Sequence, residues 1–352
     1  MRFASEKLIA WCVENLEKSG LDYNEAKTVA QVLISADERG INSHGIIRAE
    51  GYIQCLQSGG IAANAVHTII NDGPSYALVD ANRGLGIPVS VFAMDLAIEK
   101  AKKSGIAIVN VFNSHHHGAC GYYTLRCADR GLIGLAMSTG DIIMAITGAA
   151  SNSIGNNPFS YAVPAGRYRS ICYDIAMSTV AAGKISMAAV EKRSIPLGWL
   201  LDPDGNPTTD PDDYAKGGPL CPFGGYKGYG LSMMVESLAG ILSSAALLKD
   251  IHAWNMDPNS SGNVGHCFIA IDPAVINPGF SIPERAEQMI DQLLSQKKAP
   301  GVQRIVFPGQ LENEKEVDSK EHGVLLPEAT LVALKHISEI TGIIFNRDTL
   351  KK

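Results

Sequence analysis

The chain has 352 residues, 46% of them hydrophobic and 19% charged, and a formal net charge of −6. This length suits two domains with a sizeable buried core, and the composition is that of an ordinary globular protein. With no basic run anywhere, nucleic acid and anionic membranes are excluded as partners. The cysteines Cys12, Cys55, Cys120, Cys127, Cys172, Cys221 and Cys267 are odd in number, scattered and without a C-x-x-C pair. They read as the reduced set of a cytoplasmic protein, not a disulfide frame or a zinc cage. Residues 1–7 lead straight into a charged amphipathic helix, so no signal peptide is expected.

Helices are expected over 5–19 and 22–39. In the second, Asp22 with Glu25 resembles a capping box, and Ala26, Val29, Ala30, Val32, Leu33 and Ala36 carry the 3.6-residue period. Gly40 suits the left-handed residue that ends it. The stretch Ile41-Asn42-Ser43-His44-Gly45 then opens a third helix, which runs to about Ser58 before Gly59-Gly60. Positions four apart share a helix face, so His44, Arg48 and Tyr52 should form one polar stripe beside the Ser43 hydroxyl. That combination suits gripping a carboxylate and moving a proton.

From about residue 67 the pattern alternates. Strands are expected at 76–79, 106–111, 132–137, 159–163 and 171–175, with helical segments at 88–103, 119–129 and 179–192. Such alternation argues for a sheet layered with helices and leaves parallel against antiparallel open. Pro- and Gly-rich loops fill 195–226. Residues 228–248 have Glu236 as their only charge and approach the length of a membrane span. Gly228, Gly230, Ser232, Ser237, Gly240, Ser243 and Ser244 dilute the segment, so a buried core helix is expected instead. A loop of weak periodicity (250–264), a strand at 265–271, a helix at 282–297, a strand at 303–307 and a helix at 327–340 complete the chain. The C-terminal helices are expected to return onto the N-terminal ones.

Several constellations carry chemistry. Gly84-Leu85-Gly86-Ile87-Pro88-Val89 invites a Rossmann reading, but Val89 stands where the third glycine is needed and the strand at 106–111 has no acid for a ribose hydroxyl. A turn with proline at a helix start accounts for it. Ser114-His115-His116-His117-Gly118 follows the strand at 106–111, where α/β folds place ligand loops. Adjacent residues point in different directions, so three consecutive histidines do not make a metal site, and no metal is expected. One acid–base histidine fits better, with exposed loop histidines as the bland alternative. Asp174, in an apolar strand, needs a partner, either a histidine or a helix N-terminus. Gly224-Gly225-Tyr226-Lys227-Gly228-Tyr229-Gly230 is not a P-loop, yet glycines at a helix start beside Lys227 could hold a phosphate. Phe307-Pro308-Gly309-Gln310 by itself signals a turn.

Taken together and in order, these stretches resemble the malate/L-lactate/ureidoglycolate dehydrogenase family, nicotinamide-dependent 2-hydroxy acid dehydrogenases unrelated to the Rossmann-fold enzymes. The resemblance rests on Ala36–Gly45 with Arg48, Ser114–Ala119, Gly155–Phe159, Asp174–Ser178, Pro207–Pro211, Pro222–Gly230 and Pro308–Gln310. It implies an α/β (α+β) fold with a mixed, largely antiparallel, non-Rossmann sheet. Residues 71–274 would form the NAD(P)-binding domain, and 1–70 with about 275–352 a helical substrate and dimerisation domain. It also implies a homodimer with the active site near the interface. Carried over, His116 would be the acid/base at the substrate oxygen, with His44, Ser43 and Asp174 as relay or proton donor. Arg48 would grip the carboxylate beside Tyr52. The segment Asp174-Ile175-Ala176, Lys227-Gly228 and Pro308-Gly309-Gln310 match cofactor positions. The implied reaction passes a hydride between C2 of a malate- or lactate-type 2-hydroxy acid and NAD or NADP. Ureidoglycolate, sulfolactate, ketimine or diketo-acid substrates are the alternatives within the family; a metal-dependent hydrolase using His115–His117 is the alternative outside it. Family members often carry an aromatic residue at His117, Thr at Asn156 and Glu at Gln310; the last departure leaves NAD against NADP open.

Overall fold

The last strand of the sheet to appear in the chain lies in its middle. The computed structural model describes residues 2–254 and 256–352. Strands β1 (Thr68–Gly73), β2 (Tyr76–Asp80), β3 (Ile106–Ser114), β4 (Ile133–Ser138), β5 (Phe159–Pro164), β6 (Ser170–Ile175) and β7 (Val264–Ile271) join in the order β1-β2-β3-β7-β4-β5-β6. The β2–β3 pair is parallel and the other five pairs are antiparallel. The sheet is therefore mixed and largely antiparallel, as the family resemblance implies. Because β3 and β4 both run against β7, and β6 runs with β4, the carboxyl ends of β3, β4 and β6 open on one side. On β7 the period of two sends Phe268 into one apolar layer and Cys267 into the other, both fully buried. Edge strand β1 has five of its six residues exposed, and a register shift between Ile69 and Asn71 breaks its pairing with β2.

Helices α1 (Ser5–Lys18), α2 (Tyr23–Glu38) and α3 (Ala49–Ser58) share a core with the end of the chain. Phe3, Leu8, Leu16, Val29, Leu33 and Ile53 pack with Leu331, Leu334 and Ile337. Asp22 caps α2 by accepting from the Asn24 and Glu25 amides, while its own amide donates to Asn64 rather than Glu25, so half of the capping box forms. Helices α4 (Gly86–Ser104) and α5 (Cys120–Ala128) cover one sheet face, α4 through Ala93, Ala97 and Ala101. Helix α6 (Ala182–Val190) and helix α7 (Tyr226–Val235) lie on the other. Helix α8 (Ile282–Leu294) packs through Ala286 and Ile290 against Ala165 and Ile171 at the β5–β6 turn. Helices α9 (Gln310–His322) and α10 (Glu328–Thr341) follow.

Three expectations are corrected, and one helix, Gln310–His322, was not expected. The third helix is not continuous from Ile41: two short 3-10 turns, Asn42–His44 and Ile46–Arg48, precede α3, separated by Gly45 in an extended conformation. The apolar segment 228–248 is not one buried helix. Helix α7 gives way to a π-helical turn at Glu236–Ile241, where the buried Glu236 carboxylate accepts from Asn157 (2.8 Å) and the Leu248 amide (2.9 Å). Leu231, Met233, Ile241 and Leu242 are exposed. No helix among the described residues is long and apolar enough to cross a membrane. Residues 303–307 form no strand, because Pro308 offers β6 a single acceptor, for the Cys172 amide, and has no amide to return. Helix α9, polar all round, carries no periodicity to announce it; its buried Glu316 binds Arg39 at 2.6 Å and Arg169 at 2.7 Å.

The Gly84–Val89 turn has a structural use. A Cβ on Gly86 would lie 2.0 Å from the His115 carbonyl oxygen and 2.7 Å from that of His116, so only glycine lets α4 start against the histidine loop. Gly86→Ala is expected to destabilise the protein by about 1–3 kcal/mol in urea unfolding, the usual cost of overpacking. Gly230→Ala, where an added Cβ meets nothing within 4 Å in α7, should be neutral or slightly stabilising.

Candidate functional site

A cavity of about 790 Å³ opens at the carboxyl ends of β3, β4 and β6. Its wall takes Ser43, His44 and Arg48 from the broken turn, His116 and His117 from the loop after β3, and Thr139–Asp141 after β4. Asp174 and Ile175 at the end of β6, Ala176 just after it, Ala181–Gly183, Trp254, Pro308 and Gly309 complete it.

The turn that presents His44 and Arg48 is wrapped around one carboxylate. Asp37, in the last turn of α2 and 2% exposed, accepts from the Asn42 side chain at 2.9 Å and the Ile46 amide at 2.7 Å. A Cβ on Gly45 would collide with it at 2.0 Å, which is why this stretch carries glycine. Ser43 Oγ lies 2.9 Å from His44 Nδ1, and Arg48 Nε donates to the Ser43 carbonyl at 2.6 Å. His44, Arg48 and Tyr52 do not share one helix face, yet they converge on His116.

His116 is held on three sides. Its ring stacks between His44 (5.6 Å, 27°) and Trp254 (5.2 Å, 29°). The Tyr52 hydroxyl lies 2.6 Å from Nδ1, and the Gly118 amide points at the same nitrogen from 3.4 Å. The Tyr52 hydroxyl can accept from Nδ1 as well as donate to it, so with the ring proton on Nδ1 the other nitrogen, Nε2, is left as a free base for the cavity. Tyr52 is fully buried behind His116 and does not line the cavity. Trp254 also faces Arg48 at 5.8 Å, and it fits because Gly51 has no Cβ; one would lie 2.2 Å from the indole.

The neighbouring histidines turn elsewhere, and neither lies exposed on the surface. His117 stacks face to face on His266 (4.3 Å, 5°) and meets Ser90 Oγ and Cys120 Sγ at 3.2 and 3.3 Å. His115 is buried edge-on against Trp254 at 5.7 Å. Among the described residues, no group of three or more His, Cys, Asp or Glu side chains could hold a metal ion.

Asp174 accepts from the Gly121 amide at 2.7 Å, in the first turn of α5. Among the described residues it makes no hydrogen bond to a histidine, and the Ser43–His44 pair stands apart from it. Lys227, Gly228 and Gln310 lie off the cavity wall. Lys227 is exposed, and Gly228 is buried where a Cβ would strike the Phe223 and Met177 carbonyls. Gln310 is tied to the Phe307 amide and to Glu314. Pro308 and Gly309 do reach the wall, docked on β6 through the Cys172 amide.

Three contributors were missed from sequence: Asp37, Trp254 and the N-terminus of α6. Trp254 lies in an aperiodic loop, and its partners are far away in the chain. The α6 terminus could have been found, since a strand–turn–helix step places free amides at a strand's carboxyl end. Its N-cap, Ala181, supplies no side-chain cap, so those amides remain available to an anion. With Asp174 to accept from sugar hydroxyls and Pro308-Gly309 opposite, the wall fits a dinucleotide.

Burial governs the electrostatics. It lowers His44 to about 4, helped by the Arg48 charge, and holds His116 well below the usual range, with His44 and Arg48 adding to the effect. It raises Asp37 to about 7, against the Ile46 and Asn42 hydrogen bonds, and Asp174 to about 6, against the Gly121 amide. The imidazoles are therefore neutral at neutral pH. Arg39, the other cation of the wall, is bound to Glu316 and Asn313, which leaves Arg48 as the cation open to a ligand.

Comparison with known proteins finds relatives over most of the chain. A family model described as malate/L-lactate dehydrogenase matches residues 3–335. A malate dehydrogenase from Pyrococcus horikoshii is 38% identical over 317 residues, covering 88% of this chain and 87% of that one. A ureidoglycolate dehydrogenase (NAD(+)) from Escherichia coli O157:H7 is 31% identical over 324 residues, 92% of each chain. The solved structure of malate dehydrogenase from Pyrococcus horikoshii OT3 superposes with a TM-score of 0.90 at 34% identity, covering 98% of this chain and 97% of that one.

His266 links these loops and generates a pH prediction. It is fully buried between Ser138 Oγ (2.9 Å) and Ser114 Oγ (3.0 Å), and burial lowers it to about 3. The unfolded chain then binds the extra proton, so stability present above about 6.5 is lost as pH falls toward 3, at up to about 1.4 kcal/mol per pH unit. Asp37 and Asp174, raised on folding, act in the opposite sense. His266→Gln, compared with wild type in urea unfolding from pH 7 to 5, should therefore show the flatter dependence whatever its absolute stability.

Proposed function

The chain belongs to the malate/L-lactate dehydrogenase family, and on that footing we propose that it interconverts a small 2-hydroxy acid, of malate or lactate type, and its 2-oxo acid with NAD or NADP. The observation that carries this reading is the His116 ring, fixed between His44 and Trp254 with Arg48 over the same indole. A proton-handling nitrogen and a carboxylate-binding guanidinium are thereby set in one rigid cluster. The N-terminus of α6, Asp174 and Pro308-Gly309 would hold the nicotinamide cofactor, which would supply the hydride acceptor or donor for C2.

Arg48 grips the substrate carboxylate through paired hydrogen bonds, fixing C2 against His116. In oxidation His116 Nε2 takes the hydroxyl proton; in reduction it returns that proton to the ketone oxygen. The Tyr52 hydroxyl both donates and accepts, so it holds Nδ1 in either protonation state and acts as a positioning residue. Burial makes the imidazolium a strong acid, which favours rapid return of the proton. The Ser43–His44 pair, half open to the cavity, relays the proton onward. Asp174, engaged with α5, serves the cofactor side, and Gln310 brings no charge to the choice between NAD and NADP.

A homodimer is part of this reading, with the chain-end helices and the exposed Leu231, Met233, Ile241 and Leu242 at the contact. The seven free thiols suit a cytoplasmic enzyme.

The decisive assay follows nicotinamide absorbance with a panel of 2-hydroxy and 2-oxo acids, in both directions and with both cofactors. His116→Asn is expected to lower kcat by roughly 10²–10⁴-fold; wild-type turnover at saturating substrate and cofactor would show that another group moves the proton. Arg48→Leu should lower kcat/KM by roughly 100-fold, mainly through KM. Tyr52→Phe should reduce kcat by about tenfold and leave KM near its original value. Sedimentation should give twice the 37.5 kDa chain mass; a purely monomeric species at micromolar concentration would contradict the dimer.

A further inference from the structure

Asp141 is a carboxylate on the cavity wall, and nothing in the mechanism above uses it. It leaves the carboxyl end of β4, two strand positions from the histidine loop on β3, a separation of about 10 Å. That distance is fixed. Thr139 exchanges hydrogen bonds with the Gly265 backbone at 3.0 Å, and Ser138 binds His266, which in turn reaches the His115 carbonyl at 3.2 Å. Asp141 and His116 therefore line one cavity across this spacing, the side a substrate held at His116 would fill beyond C2.

Its chemistry differs from that of the other acids nearby. Asp37 is occupied by Asn42 and Ile46, Asp174 by Gly121, and Glu316 by Arg39, Arg169 and Lys320. Among the described residues, the Asp141 side chain has no hydrogen-bond partner in another residue, and it is half-buried on the cavity wall. The remaining acid of the wall, Glu312, lies one turn beyond Gly309, on the β6 side and away from the histidines. Against these acids the wall offers one uncommitted cation, Arg48, and the reaction already uses it for the C1 carboxylate.

From this arrangement, and resting on the dehydrogenase reading above but narrowing it away from malate, we propose that Asp141 is the specificity-determining residue: the site takes a 2-oxo or 2-hydroxy monocarboxylate whose far end carries an N–H donor, and it rejects a second carboxylate or sulfonate. A distal anion would meet a carboxylate with no cation to offset it, whereas a distal amide or amine gives Asp141 the donor it lacks. Burial raises Asp141 to about 6, which still leaves most of it ionised at neutral pH. The choice thus combines attraction for a donor with repulsion of an anion.

Three four-carbon 2-oxo acids of similar size test this: oxaloacetate (distal carboxylate), 2-oxosuccinamate (distal carboxamide) and 2-oxobutyrate (distal methyl). Each is assayed with NADH and with NADPH, using the wild-type protein and Asp141→Asn. The wild type is expected to favour the amide over oxaloacetate by tenfold or more in kcat/KM. Asp141→Asn should narrow that ratio at least tenfold or reverse it. A ratio of two substrates on one preparation does not depend on the fraction folded, so loss of stability cannot imitate the result. Equal or better use of oxaloacetate by the wild type, or an unchanged ratio in Asp141→Asn, overturns the assignment while leaving the dehydrogenase reading intact. Failure of all three acids with both cofactors overturns that reading, and this inference with it.

Discussion

The placement of β7 between β3 and β4 is the constraint on which the site depends. The two loops that carry His116 and Asp141 leave strands that do not touch, and residues 264–271 must be inserted before the two are held at a fixed spacing. His266 then turns strand order into loop position: its two nitrogens meet Ser138 and Ser114, and its ring supports His117. A fully buried imidazole with both nitrogens matched is costly to disturb, which makes it a good spacer. The spacer is thus held by contacts more than a hundred residues apart, and such contacts form late relative to local helices.

Around that spacer, the protein keeps its imidazoles out of water and uncharged, while burial raises its carboxyls without neutralising them. His44, His115, His116 and His117 are all depressed by burial, and Asp37, Asp141 and Asp174 are raised. A preorganised wall of neutral imidazoles with one open guanidinium and the Asp141 carboxylate gives a charged substrate a single way to lie. Orientation of that kind can supply much of a catalytic effect before any proton moves. Trp254 contributes by flat contact with both His116 and Arg48, and Gly51 makes room for it.

Much of this was legible in the sequence, for identifiable reasons. Strong periodicity announced α2 and α10, and short apolar runs announced β2 through β7. Local punctuation at Gly40 and Gly59 set helix ends correctly, because a left-handed residue is a local requirement. The histidine loop and Arg48 were visible as residue types at a strand end and a helix start. What failed was non-local. Asp37 looked like one more polar residue on α2, since its partners follow a chain reversal. Helix α9 had no apolar face because its buried side chain is a glutamate matched by three cations. The stripe of His44, Arg48 and Tyr52 assumed an unbroken helix, and Asp37 breaks it by drawing the Ile46 amide inward.

The two margins of the sheet face a problem that has nothing to do with catalysis. Any bare edge strand is a template for another chain. On β6 the exposed row of amides and carbonyls is interrupted by Pro308, which takes one hydrogen bond and cannot extend a ladder. On β1 no segment covers the strand, although Ile69 and Ile70 face solvent. There the irregularity between Ile69 and Asn71 serves instead, since a bulge spoils the register a second copy would need. A proline at one margin and a skipped residue at the other keep a largely antiparallel sheet from growing into a fibre.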